Sequence, residues 1–175
     1  MIPPSPLTVA FRTLLILVLV LTIQLGFAPG LELFGVQADL LLLVAICGGI
    51  AAGPDRGAAI GFAAGLCYDL FLQTPFGLSA LTYAIIAYLV GGLQDSVLRA
   101  AWWIPVVTAT AASMVGVILY GVVGTVLGGE LIGLELLRIA LLVGLLNTIA
   151  APLVIRGMRW ATGGTANVRA RAVYR

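Results

Sequence analysis

The chain has 175 residues, of which 62% are hydrophobic and 9% charged, with a formal net charge of +2 and no histidine. A water-soluble domain carries roughly 25% charged residues, so this composition excludes a soluble globular protein and makes lipid the solvent for most of the chain. Without histidine the usual proton shuttle and imidazole metal ligand are missing, no metal or cofactor is expected, and a charge this small is no nucleic-acid footprint.

Six apolar segments follow, each long enough to cross or nearly cross a hydrocarbon core of about 30 Å. Helix 1 is predicted from Thr8 to Phe27, stopping at Pro29-Gly30. Its apolar core exceeds the ~7–15 residues of a secretory signal, so it is read as a retained helix. Helix 2 runs from Asp39 to Ala52, opens on the leucine run Leu40 to Leu43 and is closed by Gly53-Pro54. Helix 3 runs from Arg56 to Leu72, and Gln73-Thr74-Pro75-Phe76-Gly77 links it tightly to helix 4, Leu78 to Leu93, as an antiparallel neighbour. Helix 5 runs from Pro105, a residue suited to a first helical turn, to Leu127, and helix 6 from Glu135 to Ile155. Cys47 and Cys67 lie inside these apolar runs as free thiols.

The basic residues are all arginine, and their placement sets an orientation. Arg12, Arg56, Arg99, Arg156, Arg159, Arg169, Arg171 and Arg175 fall on one side of a six-helix arrangement, with Arg138 near the other. Glu32, Asp39, Glu130 and Glu135 gather opposite the arginines. The expected fold class is therefore an all-α integral membrane protein. It forms a single bundle of about six transmembrane helices over residues 1–160, with both termini cytoplasmic and a flexible Arg-bearing cytoplasmic tail over residues 161–175. Trp102 and Trp103, with Arg99, Arg156 and Arg159, are expected to anchor the bundle at the headgroup level and to touch membrane lipids.

One polar residue stands out. Positions four apart on a helix drift by only about 40°, so Gly57, Gly61, Gly65 and Asp69 form a stripe of minimal side chains ending in a carboxylate. A lipid-facing helix has no use for such a stripe, whereas a helix pressed on another gains close backbone approach. The carboxylate, deep in apolar sequence, needs a partner. Three readings stay open for it: a clasp to the start of helix 4 or to Arg138, a surface that receives another protein, or proton and substrate work. Asp39 and Gly77, at the starts of helices 2 and 4, join the stripe as helix-packing or partner-interface candidates. A small-residue face on helix 5 (Ala112, Gly116, Gly124 and Gly128) is a candidate for the other side of the close contact. Asn147, five residues before Pro152 in helix 6, marks a candidate buried polar spot at a kink. Asp39 and Asp69, both toward the outer side, also allow an intramembrane aspartyl enzyme in which two carboxylates share a proton.

The order of these features resembles the rod shape-determining protein MreD family. The resemblance rests on Asp39 with its leucine run, Gly53-Pro54-Asp55-Arg56-Gly57, Gly61-Phe62, Gly65-Leu66, Asp69-Leu70, Pro75-Phe76-Gly77-Leu78 and Tyr88-Leu89-Val90-Gly91, with Asn147 and Pro152 following. Ala38 stands where the family commonly has proline. The resemblance implies a non-enzymatic, multi-pass scaffold subunit of the cell-elongation machinery in the bacterial cytoplasmic (inner) membrane. Its implied partners are MreC, a single-pass membrane protein, together with RodA, a penicillin-binding transpeptidase and MreB filaments. The family also looks distantly like the six-helix substrate-binding subunits of energy-coupling-factor vitamin transporters, which keeps an uptake-transporter subunit as the alternative.

Overall fold

In the computed structural model, which describes residues 5–26, 30, 32–72, 75–93, 103–128 and 133–163, the chain forms six helices. They are α1 (Pro6–Gly26), α2 (Leu40–Ala52), α3 (Pro54–Asp69), α4 (Leu78–Gly92), α5 (Ile104–Val126) and α6 (Gly133–Thr162). Among the described residues there is no strand, only an isolated bridge between Leu33 and Val36 that closes the turn through Phe34 and Gly35.

The bundle is built around α2. This helix is apolar on every side, which suits a helix surrounded by protein or lipid. Every residue from Leu41 to Ala51 is buried, and all five other helices pack on it. Because protein surrounds it, its 13 residues need not match the bilayer thickness. The helices long and apolar enough to cross a membrane are α1, α5 and α6, at 21, 23 and 30 residues.

Helix α1 meets the bundle with a narrow seam. Its buried residues Thr13, Leu17, Val20 and Gln24 recur at steps of four, three and four, one face of a helix. The other faces present Leu14, Leu15, Val18 and Leu19 outward, about half exposed, as suits a lipid-facing surface. Gln24 pins the far end: its Nε2 donates to the Ala38 carbonyl at 2.8 Å and its Oε1 accepts from the Leu40 N–H at 2.9 Å. One side chain thereby satisfies a loop carbonyl and an orphan N–H of the first turn of α2.

The first third of α1 and the end of α6 lie at the same end of the bundle. The Arg12 guanidinium sits 4.5 Å from the centre of the Trp160 ring and donates to the Trp160 carbonyl. Ala52, Arg56 and Thr162 line one groove with Pro6, so Arg12, Arg56 and Arg159 share that end. Arg138, in the second turn of α6, lies at the other.

Several boundaries differ from the sequence reading: α1 begins at Pro6 rather than Thr8 and α6 at Gly133 rather than Glu135, and the larger differences lie in α3 and at the end of α6. Helix α3 begins two residues earlier, because Pro54 fits a first turn that lacks an N–H partner, and ends at Asp69 rather than Leu72. Helix α6 continues to Thr162, past the expected end at Ile155, with Pro152 inside it. Pro152 lies on the exposed side, a position membrane helices tolerate. Arg99, Trp102, Glu130, Gln73-Thr74 and the tail from residue 164 onward lie outside the described residues.

Candidate functional site

The glycine stripe of α3 lies against α4. A Cβ added at Gly61 would stand 2.5 Å from the Tyr83 carbonyl oxygen, and one added at Gly57 2.6 Å from the Cα of Gly49 and 3.1 Å from the Ala87 oxygen. At Gly65 it would overlap the backbone of Ser79 and Ala80. The receiving positions on α4, Ala80, Tyr83 and Ala87, recur at helical spacing. The seam extends to α2, where a Cβ on Gly49 would strike the Ala87 carbonyl, and to Gly91, where it would meet Gly53 and Pro54 at 2.6 Å. Three helices therefore meet backbone to backbone at Gly49, Gly57 and Ala87, a contact only small residues permit.

Helix 5 was the expected other side of this contact, and it is not. A Cβ on Gly116 of α5 would meet the Leu42 side chain of α2, and one on Gly124 meets only Leu78. The receiving surface instead comes from Ala80, Tyr83, Ala87 and Gly91 of α4. These positions stand in the sequence at steps of three, four and four, but alanines are common in apolar helices and do not announce a seam.

Asp69 closes the seam. It ends α3 with 4% of its surface exposed, and its carboxylate accepts three backbone N–H groups at the start of α4. Gly77 donates to Oδ2 at 2.9 Å, Ala80 to Oδ2 at 3.2 Å and Ser79 to Oδ1 at 3.1 Å. These are the N-cap position and the second and third residues of α4, the donors a helix leaves without internal partners. Gly77 has no side chain to cap them and takes a φ of 96°, where L residues are strained. Asp69 thus serves as an N-cap supplied by another helix, with its negative charge at the positive end of the α4 dipole. The alternative clasp to Arg138 is not made: Arg138 lines a groove with Phe34 and Leu137.

A second polar knot joins four helices at the same end. Asp39 caps α2, its Oδ1 accepting the Leu42 N–H at 2.9 Å, and its Oδ2 accepts the Tyr83 hydroxyl of α4 at 2.6 Å. Asn147 of α6 donates through Nδ2 to the Asp39 carbonyl at 3.1 Å and to Ser113 Oγ of α5 at 3.0 Å. Asn147 is fully buried and Pro152 is exposed, so the two do not form one bent polar spot. Five residues turn a helix by about 140° beyond a full circle, which puts them on different faces. Sequence reasoning missed Tyr83, Ser113 and Gln24, because neither a tyrosine nor a glutamine in an apolar run discloses which distant backbone it reaches.

Each oxygen of the two aspartates is engaged by other groups, and no hydrogen bond joins the two acids among the described residues. The shared-proton arrangement of an aspartyl enzyme is therefore not formed. Tyr83→Phe is expected to remove about 2 kcal/mol, the worth of a buried hydrogen bond to a charged acceptor. Thermal unfolding of the purified protein in detergent checks this.

Beside the knot lies a cavity of about 390 Å³, lined by Gln24, Asp39, Tyr68, Tyr83 and Tyr120 among apolar neighbours. Of the expected headgroup anchors, Trp103 stands just before α5 and is half exposed, Arg156 is exposed and Arg159 half-buried.

The bundle and its two polar locks coincide with one family. The family model for the rod shape-determining protein MreD matches residues 7–155, from the first turn of α1 to the last third of α6. The chain belongs to the MreD family. It is a membrane protein with a role in rod-shape determination, and MreD is a structural, shape-determining family. The match covers Asp39, the glycine stripe, Asp69, Gly77, Asn147 and Pro152 together. No curated protein and no solved structure matches the chain.

Proposed function

We propose that this MreD-family chain is a non-enzymatic scaffold subunit of the bacterial cell-elongation machinery. In this reading it crosses the cytoplasmic membrane six times with both termini inside. It binds an MreC-like single-pass protein and thereby helps direct lateral peptidoglycan synthesis by RodA and a penicillin-binding transpeptidase, with MreB filaments on the cytoplasmic side. The observation that carries the reading is the family match across the whole bundle. The shared end of Arg12, Arg56 and Arg159 supports the orientation, since basic residues collect on the cytoplasmic side.

In this reading the partner meets an outward face of the bundle. The glycines, Asp69, Asp39 and Asn147 all face neighbours inside the bundle, so recognition falls to outward faces. Helix α6 offers one ridge, Leu141, Leu145, Ile149 and Leu153, each at least half exposed and four residues apart. A single partner helix would associate there through van der Waals packing, the main source of helix affinity in lipid. Depleting the chain in the cell that makes it is expected to turn rods into round cells with displaced lateral wall synthesis. Rod-shaped growth under full depletion, followed by microscopy, would sink the reading.

The cavity beside Asp39 favours a second reading, a substrate-binding subunit of a vitamin-type uptake transporter. An apolar pocket with a few converging polar groups is the usual form of a small-ligand site. Such a subunit also needs a small-residue seam on its first helix for a coupling partner, and the outward face of α1 is Leu14, Leu15, Val18 and Leu19.

A further inference from the structure

At the arginine-bearing end, α1 and α3 both pack on α2 but touch each other little, and between them runs a groove of about 700 Å³. Its walls are small or apolar: Ala10, Thr13 and Leu17 on α1 face Ala59 and Ala63 on α3, and Ala52 of α2 forms its end.

Three observations define what fits. The first is depth. On α1 the lining runs from Pro6 to Leu17, about 16 Å of helix, and on α3 from Arg56 to Ala63, about 10 Å. That is about half of a ~30 Å hydrocarbon core, hence one leaflet. A partner's transmembrane helix occupies both leaflets, whereas an acyl chain occupies one.

The second is charge. Arg56 is exposed at the groove's outer end, in the first turn of α3, where the helix dipole adds its positive end. Asp55 is exposed beside it but does not line the groove. The third is an unmet donor. Thr13 lines the groove with 8% of its surface exposed, and its hydroxyl has no partner among the described residues. That hydroxyl is shielded in the rotamer it adopts, and a rotation about χ1 would be needed to offer it to an ester oxygen in the groove.

We propose that this groove holds one anionic glycerophospholipid, an acyl chain between α1 and α3 and the phosphate on Arg56. The bound lipid fills the gap between two helices that touch little and fixes α1 to the bundle. Lipid occupancy is independent of which protein partner the chain serves.

Native mass spectrometry of the full chain in mild detergent, with phosphatidylglycerol and phosphatidylethanolamine added in equal amounts, tests this. The wild type is expected to retain one phosphatidylglycerol with about fivefold preference, the worth of one arginine near an anionic headgroup. Arg56→Gln is expected to abolish the preference, and Ala59→Phe, at an exposed position that fills the groove, to lose the retained lipid of either class. Unfolding curves without added lipid establish that both variants are folded. Equal retention of the two lipids by the wild type, or survival of the preference in either variant, overturns the proposal. So does capture of a protein helix by a photo-cross-linker at Ala59.

Discussion

Gly65→Ala is expected to destabilise the bundle by about 3 kcal/mol or more, at or beyond the upper end of ordinary overpacking. The reason is what the new methyl group meets. Where overpacking strikes a flexible side chain, a rotamer change relieves it. At Gly65 the obstacle is the α4 backbone at Ser79 and Ala80, held in turn by the Asp69 carboxylate. Relief requires α4 to move away from α3, which opens the junction at Gly49, Gly57 and Ala87 as well. Gly65→Leu is expected to leave little folded protein. Gly92→Ala is the control: nothing lies within 4 Å of its added Cβ, so stability is expected to hold or rise by a few tenths of a kcal/mol. Unfolding midpoints and monodisperse yield in one detergent separate the two outcomes. A Gly65→Leu protein that stays folded yet loses a partner would reassign the stripe from internal seam to docking face.

Asp69→Ala is the second large effect, with an expected loss of about 3–5 kcal/mol. Three N–H groups at the start of α4 lose their acceptor, and Gly77 offers no side chain in its place. Each buried donor left alone costs about 1–3 kcal/mol, reduced where the helix end can fray toward the water interface. Asp69→Asn is expected to be milder. Its single oxygen can still accept from Gly77 and Ala80, while its amide turns toward the Ser79 N–H and loses that bond. The order wild type, Asn, Ala in thermal unfolding is the signature of capping. Equal loss in both variants would point instead to a role for the negative charge alone.

The helices and the seam were legible in the sequence to different depths. Six helices and their order follow from apolar runs punctuated by Pro29-Gly30, Gly53-Pro54 and the Pro75-Phe76-Gly77 turn, because breakers and hydropathy are local properties. The stripe Gly57, Gly61, Gly65 was visible for the same reason: helical spacing alone puts it on one face. Which helix it meets was not, since that depends on three-dimensional order, and the small residues of helix 5 looked as suitable as Ala80, Ala87 and Gly91. Helix α2, apolar throughout, carries nothing in its composition that tells a lipid-facing helix from a buried one, and every residue from Leu41 to Ala51 is buried. A hydrophobic side chain is equally at home against lipid or protein, so hydropathy does not separate the two. The Asp39, Tyr83 and Asn147 knot was hidden for a different reason. It joins residues 44 and 108 positions apart, and nothing local in the sequence registers that distance.

The scaffold account is tested most directly by purifying the tagged chain from its native membrane in mild detergent and identifying its companions by mass spectrometry. Recovery of an MreC-like single-pass protein together with elongation enzymes is the predicted result. Recovery of a transmembrane coupling subunit with paired ATPases would contradict it and make the cavity beside Asp39 the functional site.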